Sequence, residues 1–370
     1  MRRVRMYNST HRFDMEGATG PTASPNVRWT HEIQRLSDVA VWDGQVYCTT
    51  EAGSVFVFTL DGDPQWRLEV GPRLDGNPAV VDGTVYLGRV HPRGEVVALD
   101  AATGSEHWRF ETDDGVHSSP AVVDGTVYVG SFDGNVYALN AADGAERWTT
   151  SVSSYEIWSS PAVVNGTIYI GGGSDYVHAL DGQTGEERWR AETGGDVMSS
   201  PTVVDDTVFI GDGSVYALDA ASGTERWTFE TDDGVSSSPA VVDGTVYAAG
   251  GDGSVYALDA TIGTEQWSRE IGDALYASPM VVGGTVYVGS NEHLYALSVE
   301  CGETQWRFDT GPVTDSLAVV DDTIYVGGGN DVYALAGPST TGTEAYGTTS
   351  GTGTNHTTSD TEVFDPTSDS

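Results

Sequence analysis

The chain is built from one repeat whose copies lie 37 to 42 residues apart. A typical copy, residues 118–148, reads SSPAVVDGTVYVGSFDGNVYALNAADGAERW. It predicts four short strands: an apolar run before the Asp124-Gly125 hairpin turn, an alternating strand after it, the Val-Tyr-Ala-Leu strand, and a last strand that carries Trp148. Four antiparallel strands cannot bury both faces of their own sheet, so the copies must stack on one another. The repeat therefore predicts a β-propeller with one copy per blade.

The number of blades follows from two repeated features. Tryptophan recurs at Trp29, Trp66, Trp108, Trp148, Trp189, Trp227, Trp267 and Trp306, and we interpret these eight residues as structural. The Val-Tyr-Ala-Leu strand or a close relative also occurs eight times, but Trp29 has no blade before it and the copy ending at Leu335 has no tryptophan after it. We therefore expect residues 27–33 to supply the outer strand of the last blade, which removes an open sheet edge. The predicted fold is an all-β, eight-bladed β-propeller of four-stranded antiparallel blades, closed by the N-terminal strand.

The repeats leave both ends of the chain outside the predicted propeller, which spans residues 27–336. Residues 337–370 are rich in Thr, Ser and Gly with scattered acids, and we predict that they are disordered, as are residues 1–26. The basic start has no apolar segment behind it, and no run is long enough for a membrane helix. We therefore expect a cytoplasmic protein, or a cell-surface or extracellular one if the start is misassigned.

The charge balance is the strongest compositional signal. Asp and Glu number 55 against 17 basic residues, all of them Arg, which gives a net charge of −38. This balance is typical of proteins from extreme halophiles, because concentrated salt screens the self-repulsion of hydrated carboxylates. A moderately acidic protein from an ordinary cell is the alternative. The charge disfavours a nucleic-acid partner. The two cysteines, Cys48 and Cys301, lie in different repeats, so we expect no disulfide.

A family resemblance rests on residues 98–108, which read ALDAATGSEHW. This stretch resembles the tryptophan-docking repeat of the pyrroloquinoline-quinone (PQQ) propeller superfamily, and the resemblance covers residues 27–336. The first blade departs from the pattern, since it reads FTLDG at residues 58–62. The resemblance implies one of two branches: quinone-dependent alcohol and sugar dehydrogenases, or non-catalytic scaffolds similar to BamB. In the first branch, the resemblance implies that the alcohol dehydrogenases hold the quinone against two adjacent cysteines, beside calcium and a catalytic Asp.

Several features of the sequence favour the scaffold branch. It has no adjacent cysteines, no long insertion that could build a cofactor chamber and no metal-spaced histidines, and its Asp-Gly pairs fit hairpin turns. We therefore assign no catalytic, metal or cofactor residues. We predict a monomeric scaffold in a high-salt environment. We expect it to bind a ligand, or a protein or peptide partner, on its loop face. The alternative is an alcohol or sugar dehydrogenase that uses PQQ and calcium in a reduced active site.

Candidate binding residues are those that vary where the repeats are otherwise constant. One such position lies three residues before the proline of each inner strand, or at the equivalent place in the two repeats that lack this proline. We expect these eight residues to ring one mouth of the central channel: Leu36, Asp75, His117, Trp158, Met198, Ser236, Tyr276 and Thr314. We predict that His117, Trp158, Met198 and Tyr276 bind a small molecule or a peptide there. The alternative is that bulky side chains simply fill a narrow mouth.

The second blade contains an unusual group of basic residues in two neighbouring loops: Arg73, Arg89, His91 and Arg93. Because arginine suits bidentate recognition, Arg73, Arg89 and Arg93 could contact an anion or an acidic peptide. The alternative is local pairing with acids such as Asp75 and Glu95.

The net charge of −38 predicts salt-dependent stability. Repulsion among the carboxylates destabilises the compact state at low ionic strength, so we expect the melting temperature to rise as KCl increases from about 0.1 to 3 M. Thermal unfolding followed by circular dichroism measures this, and a melting temperature that does not change with KCl would contradict the expectation.

Overall fold

The computed structural model describes residues 19–337, apart from residues 72, 91, 92, 273 and 276 and the side chains of residues 314–316. The described residues form 32 strands in eight four-stranded sheets. The strands of the first four blades are β2 Leu36–Trp42, β3 Gln45–Thr50, β4 Ser54–Thr59 and β5 Pro64–Glu69; β6 Leu74–Val81, β7 Thr84–Arg89, β8 Glu95–Asp100 and β9 Glu106–Glu111; β10 Ala121–Val123, β11 Thr126–Gly130, β12 Asn135–Asn140 and β13 Glu146–Ser151; and β14 Ala162–Val164, β15 Thr167–Gly171, β16 Tyr176–Asp181 and β17 Glu187–Glu192. The remaining blades contain β18 Thr202–Val204, β19 Thr207–Asp212, β20 Ser214–Asp219 and β21 Glu225–Glu230; β22 Ala240–Val242, β23 Thr245–Ala249, β24 Ser254–Asp259 and β25 Glu265–Glu270; β26 Met280–Val282, β27 Thr285–Gly289, β28 His293–Ser298 and β29 Thr304–Asp309; and β30 Val313–Val320, β31 Thr323–Gly328 and β32 Asp331–Ala336 with β1 Asn26–Glu32.

The predicted eight-bladed ring is confirmed, including its closure. β1 pairs antiparallel with β32, with Trp29 opposite Ala334 and Glu32 opposite Asp331. The eighth sheet therefore has the order β1-β32-β31-β30 and takes its outer strand from the other end of the chain. This arrangement leaves no blade without an outer strand.

The core lies between the blades. Eight apolar clusters are each formed by residues of two neighbouring sheets. The cluster between the eighth and first blades, for example, joins Tyr325 and Val332 to Val39 and Val46. Because alternate residues of a strand point to opposite faces, the Val and Tyr positions of the middle strands reach both neighbours.

Each of the eight tryptophans connects its own blade to the next. The indole Nε1 donates to a backbone carbonyl in the neighbouring blade at 2.8–3.2 Å. Trp108, for example, donates to Ala141, and the Tyr86 hydroxyl donates to the same carbonyl. Ala141 lies in the turn between β12 and β13, and Gly144 of the same turn has φ +71° and lies against the Trp108 ring. The repeat therefore couples one blade's tryptophan to the next blade's glycine turn.

At the junction of the two chain ends, a residue before β1 supplies this carbonyl. Trp306 and Tyr287 in the seventh blade both donate to the carbonyl of Pro21, at 2.8 and 3.1 Å. Burial raises the pKa of the Tyr287 hydroxyl, so it remains a donor. Thr19 also donates to Asp322. Pro21 belongs to the segment predicted to lie outside the propeller, yet it completes the contact between the seventh and eighth blades. The predicted disorder of residues 1–18 and 338–370 lies outside the described residues.

The repeated serines before the inner strands form hydrogen bonds around the axis. In the third to seventh blades, the serine directly before the inner-strand proline accepts from a backbone N–H of the preceding blade: Asn77 to Ser119, Ser119 to Ser160, Ser160 to Ser200, Ser200 to Ser238 and Ser238 to Ser278, at 2.8–3.0 Å. One residue earlier, a serine replaces a ladder contact within the blade, since Ser118 Oγ both donates to and accepts from Gly130. These bonds satisfy backbone groups that the proline-interrupted ladder leaves free.

The glycine turn at the tryptophan can be tested with a matched pair of substitutions. Gly125 and Gly144 both have φ +71°, but a Cβ at Gly144 would lie 2.5 Å from Trp108 Cε3, whereas one at Gly125 would meet nothing within 4 Å. We expect Gly125→Ala to lower the free energy of unfolding by about 1 kcal/mol through backbone strain, and Gly144→Ala by about 2–4 kcal/mol because overpacking adds to it. Chemical denaturation measures both, and equal losses would show that the indole contact is unimportant.

The contact at Pro21 can be tested by shortening the chain. A chain that starts at Ala23 lacks the acceptor for two buried donors, Trp306 and Tyr287. We expect its free energy of unfolding to be about 2–4 kcal/mol below that of a chain that starts at Thr19 and keeps Pro21. Denaturation of the two chains under one set of conditions is the measurement, and equal midpoints would contradict the role given to Pro21.

Candidate functional site

Two kinds of loop lie on the same face of the ring. The loops that lead from each outer strand to the next inner strand, and those between the two middle strands of a blade, emerge on the same side because neighbouring strands are antiparallel. Backbone hydrogen bonds join them, from Phe132 to Gly115 at 2.8 Å and from Ile157 to Ser131 at 3.3 Å. We call this side the mouth face.

Three aromatic rings cluster on the mouth face. His117 stacks on Phe132 with ring centroids 3.7 Å apart and an interplanar angle of 10°. Trp158 lies across both rings, at 4.8 Å from His117 and 4.5 Å from Phe132. His117 and Trp158, predicted from different repeats, are therefore in contact. Their neighbour Phe132 was not predicted, although the sequence holds a signal, since the corresponding loop of the sixth blade has Gly251 between Gly250 and Asp252.

An acid from the second blade contacts the histidine. Nδ1 of His117 lies 2.7 Å from Oδ2 of Asp75, and Arg73 lies 3.4 Å from the same oxygen. Burial favours the neutral form of Asp75, but His117, the N–H of Gly76 and Arg73 outweigh it and hold the pKa of this carboxyl below its ordinary value. The histidine of the aromatic cluster therefore lies against an ionised carboxylate.

The mouth face also exposes apolar side chains. Among the described residues five large hydrophobic side chains are exposed, and three of them belong to two consecutive loops here: Tyr155 at 67%, Trp158 at 40% and Met198 at 46%. The hydrogen bond from Ser160 to Ser200, each two residues beyond Trp158 and Met198, holds the ends of these loops together at 2.9 Å. We call Tyr155, Trp158 and Met198 the mouth patch.

The predicted basic group is paired with acids. Arg89 is buried, and its Nη1 lies 2.8 Å from Oε2 of Glu95. Arg93 lies 3.7 Å from Glu111. With Arg73 on Asp75, all three arginines contact a carboxylate, as the local-pairing alternative expected, and Arg89 has no exposed guanidinium to offer an anion. Contact of an anion with Arg73 or Arg93 remains a prediction.

The remaining predicted residues are Met198, which the structure describes, and Tyr276 and His91, which lie outside the described residues. Met198 is placed on the mouth face, one blade beyond Trp158. Ligand binding by His117, Trp158 and Met198 remains a prediction.

Two features that the resemblance associates with the dehydrogenase branch, a metal-binding group and paired thiols, can be compared with the described residues. In the part of the chain that the structure describes, no group of three or more His, Cys, Asp or Glu side chains could hold a metal ion. Cys48 is buried in β3, where burial raises the pKa of its thiol, whereas Cys301 is exposed in the turn before β29. Both are free, and the paired thiols of that branch have no counterpart here.

Comparison with solved structures places this ring among known propellers. BamB from Moraxella catarrhalis has a TM-score of 0.73 and 21% identity, covering 84% of this chain and 99% of its own. A europium-containing methanol dehydrogenase has a TM-score of 0.76 and 14% identity, with coverage of 90% and 97%. The computationally designed Ika8 protein has a TM-score of 0.71 and 17% identity, with coverage of 86% and 100%. Identities this low establish the fold alone.

Within the described residues, no helix is long and apolar enough to span a membrane.

Comparison with curated protein sequences finds no match. The family model described as outer membrane protein assembly factor BamB matches residues 51–157, 133–213 and 211–368. These matches cover most of the chain and include all eight blades in part or in full. They confirm the predicted membership of the PQQ-repeat propeller superfamily. The chain belongs to this BamB family of PQQ-repeat β-propellers.

Proposed function

We propose that the protein is a non-catalytic scaffold that docks a protein or peptide partner on its mouth face. The observation that supports this is the exposure of Trp158 on a fixed support. Its ring is 40% exposed while the histidine beneath it, His117, is only 7% exposed and touches both Asp75 and Phe132. A rigid, partly exposed tryptophan loses little conformational entropy on binding and is a frequent energetic centre of interfaces.

The BamB relationship supports the same conclusion. The family model carries the description of an assembly factor, and BamB from Moraxella catarrhalis shares the fold over 84% of this chain. The likeness to a methanol dehydrogenase supports quinone-dependent oxidation as the alternative, but the described residues offer no metal-binding group. We therefore propose that this chain functions by binding a partner and not by catalysing quinone-dependent oxidation. A high-salt setting and a monomeric state are further proposals, and the net charge of −38 supports the first.

The scaffold function is tested by capture with matched variants. The full chain, Trp158→Ala and Ile262→Ala are immobilised and exposed to an extract of the native cells at molar salt. Ile262 is a suitable control because it is 61% exposed in the turn between β24 and β25, on the opposite face. We expect at least one protein to be retained by the wild type and Ile262→Ala and reduced about tenfold by Trp158→Ala. Identical retention by all three chains would refute docking through the mouth patch.

The dehydrogenase alternative has its own assay. The chain is incubated with PQQ and calcium, and dye-linked oxidation of simple alcohols and aldoses is followed. The scaffold proposal expects no turnover above that of free quinone. Saturable turnover would reverse the assignment.

A further inference from the structure

We propose that the segment docking on the mouth patch is basic, with arginine or lysine side chains beside apolar ones. This inference rests on the proposed function and specifies the chemistry of its partner. Three observations support it: the charge of the surrounding loops, the exposed ring of Trp158, and the pairing of the arginines on the same face.

The loops around the mouth patch are uniformly acidic. The mouth-face loops of the third to sixth blades are residues 112–120, 131–134, 152–161, 172–175, 193–201, 213, 231–239 and 250–253. Within these described ranges there is no arginine or lysine, and seven acids are exposed: Asp113, Asp114, Glu156, Asp175, Asp196, Asp232 and Asp233. A negative potential over these loops attracts cations and repels acidic segments.

Trp158 offers a contact that suits a cation. The face of an indole ring carries partial negative charge and attracts the cationic side chain of arginine or lysine. Glu156 is exposed two residues before Trp158, and Asp196 is exposed two residues before Met198. Each apolar residue of the patch therefore has an acid beside it in the chain. A guanidinium group can stack on the ring and form a bidentate pair with a carboxylate at once.

The arginines of the same face do not compete for an acidic partner. They occur in the first and second blades, and each has a carboxylate within reach: Arg35 on Glu51 at 2.6 Å, Arg73 on Asp75 at 3.4 Å and Arg93 on Glu111 at 3.7 Å. An acidic segment would have to displace these acids, whereas a basic one meets carboxylates that are already exposed. The charge distribution therefore favours a basic segment over an acidic one.

The inference is tested with fluorescent peptides on the full chain. The probes are short peptides that alternate leucine with arginine, with lysine or with glutamate. Fluorescence anisotropy is measured at about 0.15 M salt and again at about 1 M, where the screening length falls to roughly 3 Å, and circular dichroism at both salt concentrations shows whether the chain is folded. We expect saturable binding of the arginine and lysine peptides, weakened by salt, and no binding of the glutamate peptide.

Variants locate the binding. We expect Trp158→Ala to weaken binding of the arginine peptide about tenfold, and the double variant Glu156→Gln/Asp196→Asn to weaken it roughly fivefold. The control is Glu186→Gln, which removes an exposed acid from the same blade but from the turn between β16 and β17 on the opposite face. The control should bind as the wild type does. Melting temperatures of all variants show whether each one is folded.

Three outcomes would overturn the inference. The first is equal binding of the glutamate peptide. The second is arginine-peptide binding that Glu156→Gln/Asp196→Asn leaves unchanged. The third is a shift in oligomeric state with Trp158→Ala, which would make a second copy of the chain the occupant. If native-cell proteins are still captured in a Trp158-dependent way while basic peptides fail, docking stands and only its proposed chemistry is refuted.

Discussion

The hydrogen bond from each blade's tryptophan to a carbonyl of the next blade is the interaction on which this structure depends. A single four-stranded sheet buries neither face, so its stability comes from its neighbours. The indole fixes the distance and angle between two sheets at their outer edge, and the serine hydroxyls do the same near the axis for the second to seventh blades. Together they make eight weak units into one rigid ring, which places the mouth loops.

This rigidity matters for binding because Trp158 of the mouth patch and the residues that support it come from different blades. Asp75 comes from the second, His117 and Phe132 from the third, and Trp158 from the fourth. A change in the angle between the third and fourth blades would move Trp158 away from the stacked rings of His117 and Phe132. The surface is therefore formed before a partner arrives, and association does not have to order it.

Most of the fold could be predicted from the sequence because a repeat supplies its own alignment. The spacing of the tryptophans gave the number of blades, and the offset between Trp29 and Leu335 gave the closure of the ring. The contact of His117 with Trp158 also followed, since equivalent positions of neighbouring repeats meet at the axis. Repetition therefore converts positions along the chain into neighbours in space.

What the sequence could not show depends on single positions that break the repeat. Phe132 replaces a small loop residue, and nothing in its own blade indicates that it stacks on His117. Arg89 looked like a surface cation in the sequence, but β7 turns it inward to Glu95. Pro21 lies before the first repeat, so no repeat position predicts that its carbonyl accepts from Trp306. Such contacts depend on side-chain direction and on the meeting of the chain ends.

The sheet formed by β1 and β32 has a consequence for how the protein is made. β1 leaves the ribosome first, yet its partner is synthesised about 300 residues later, which at 5–20 residues per second is a delay of roughly 15–60 s. Throughout that interval the nascent chain carries an unpaired strand that can associate with other chains. The seven completed sheets can meanwhile stack in order, but the circle stays open until β32 has been synthesised.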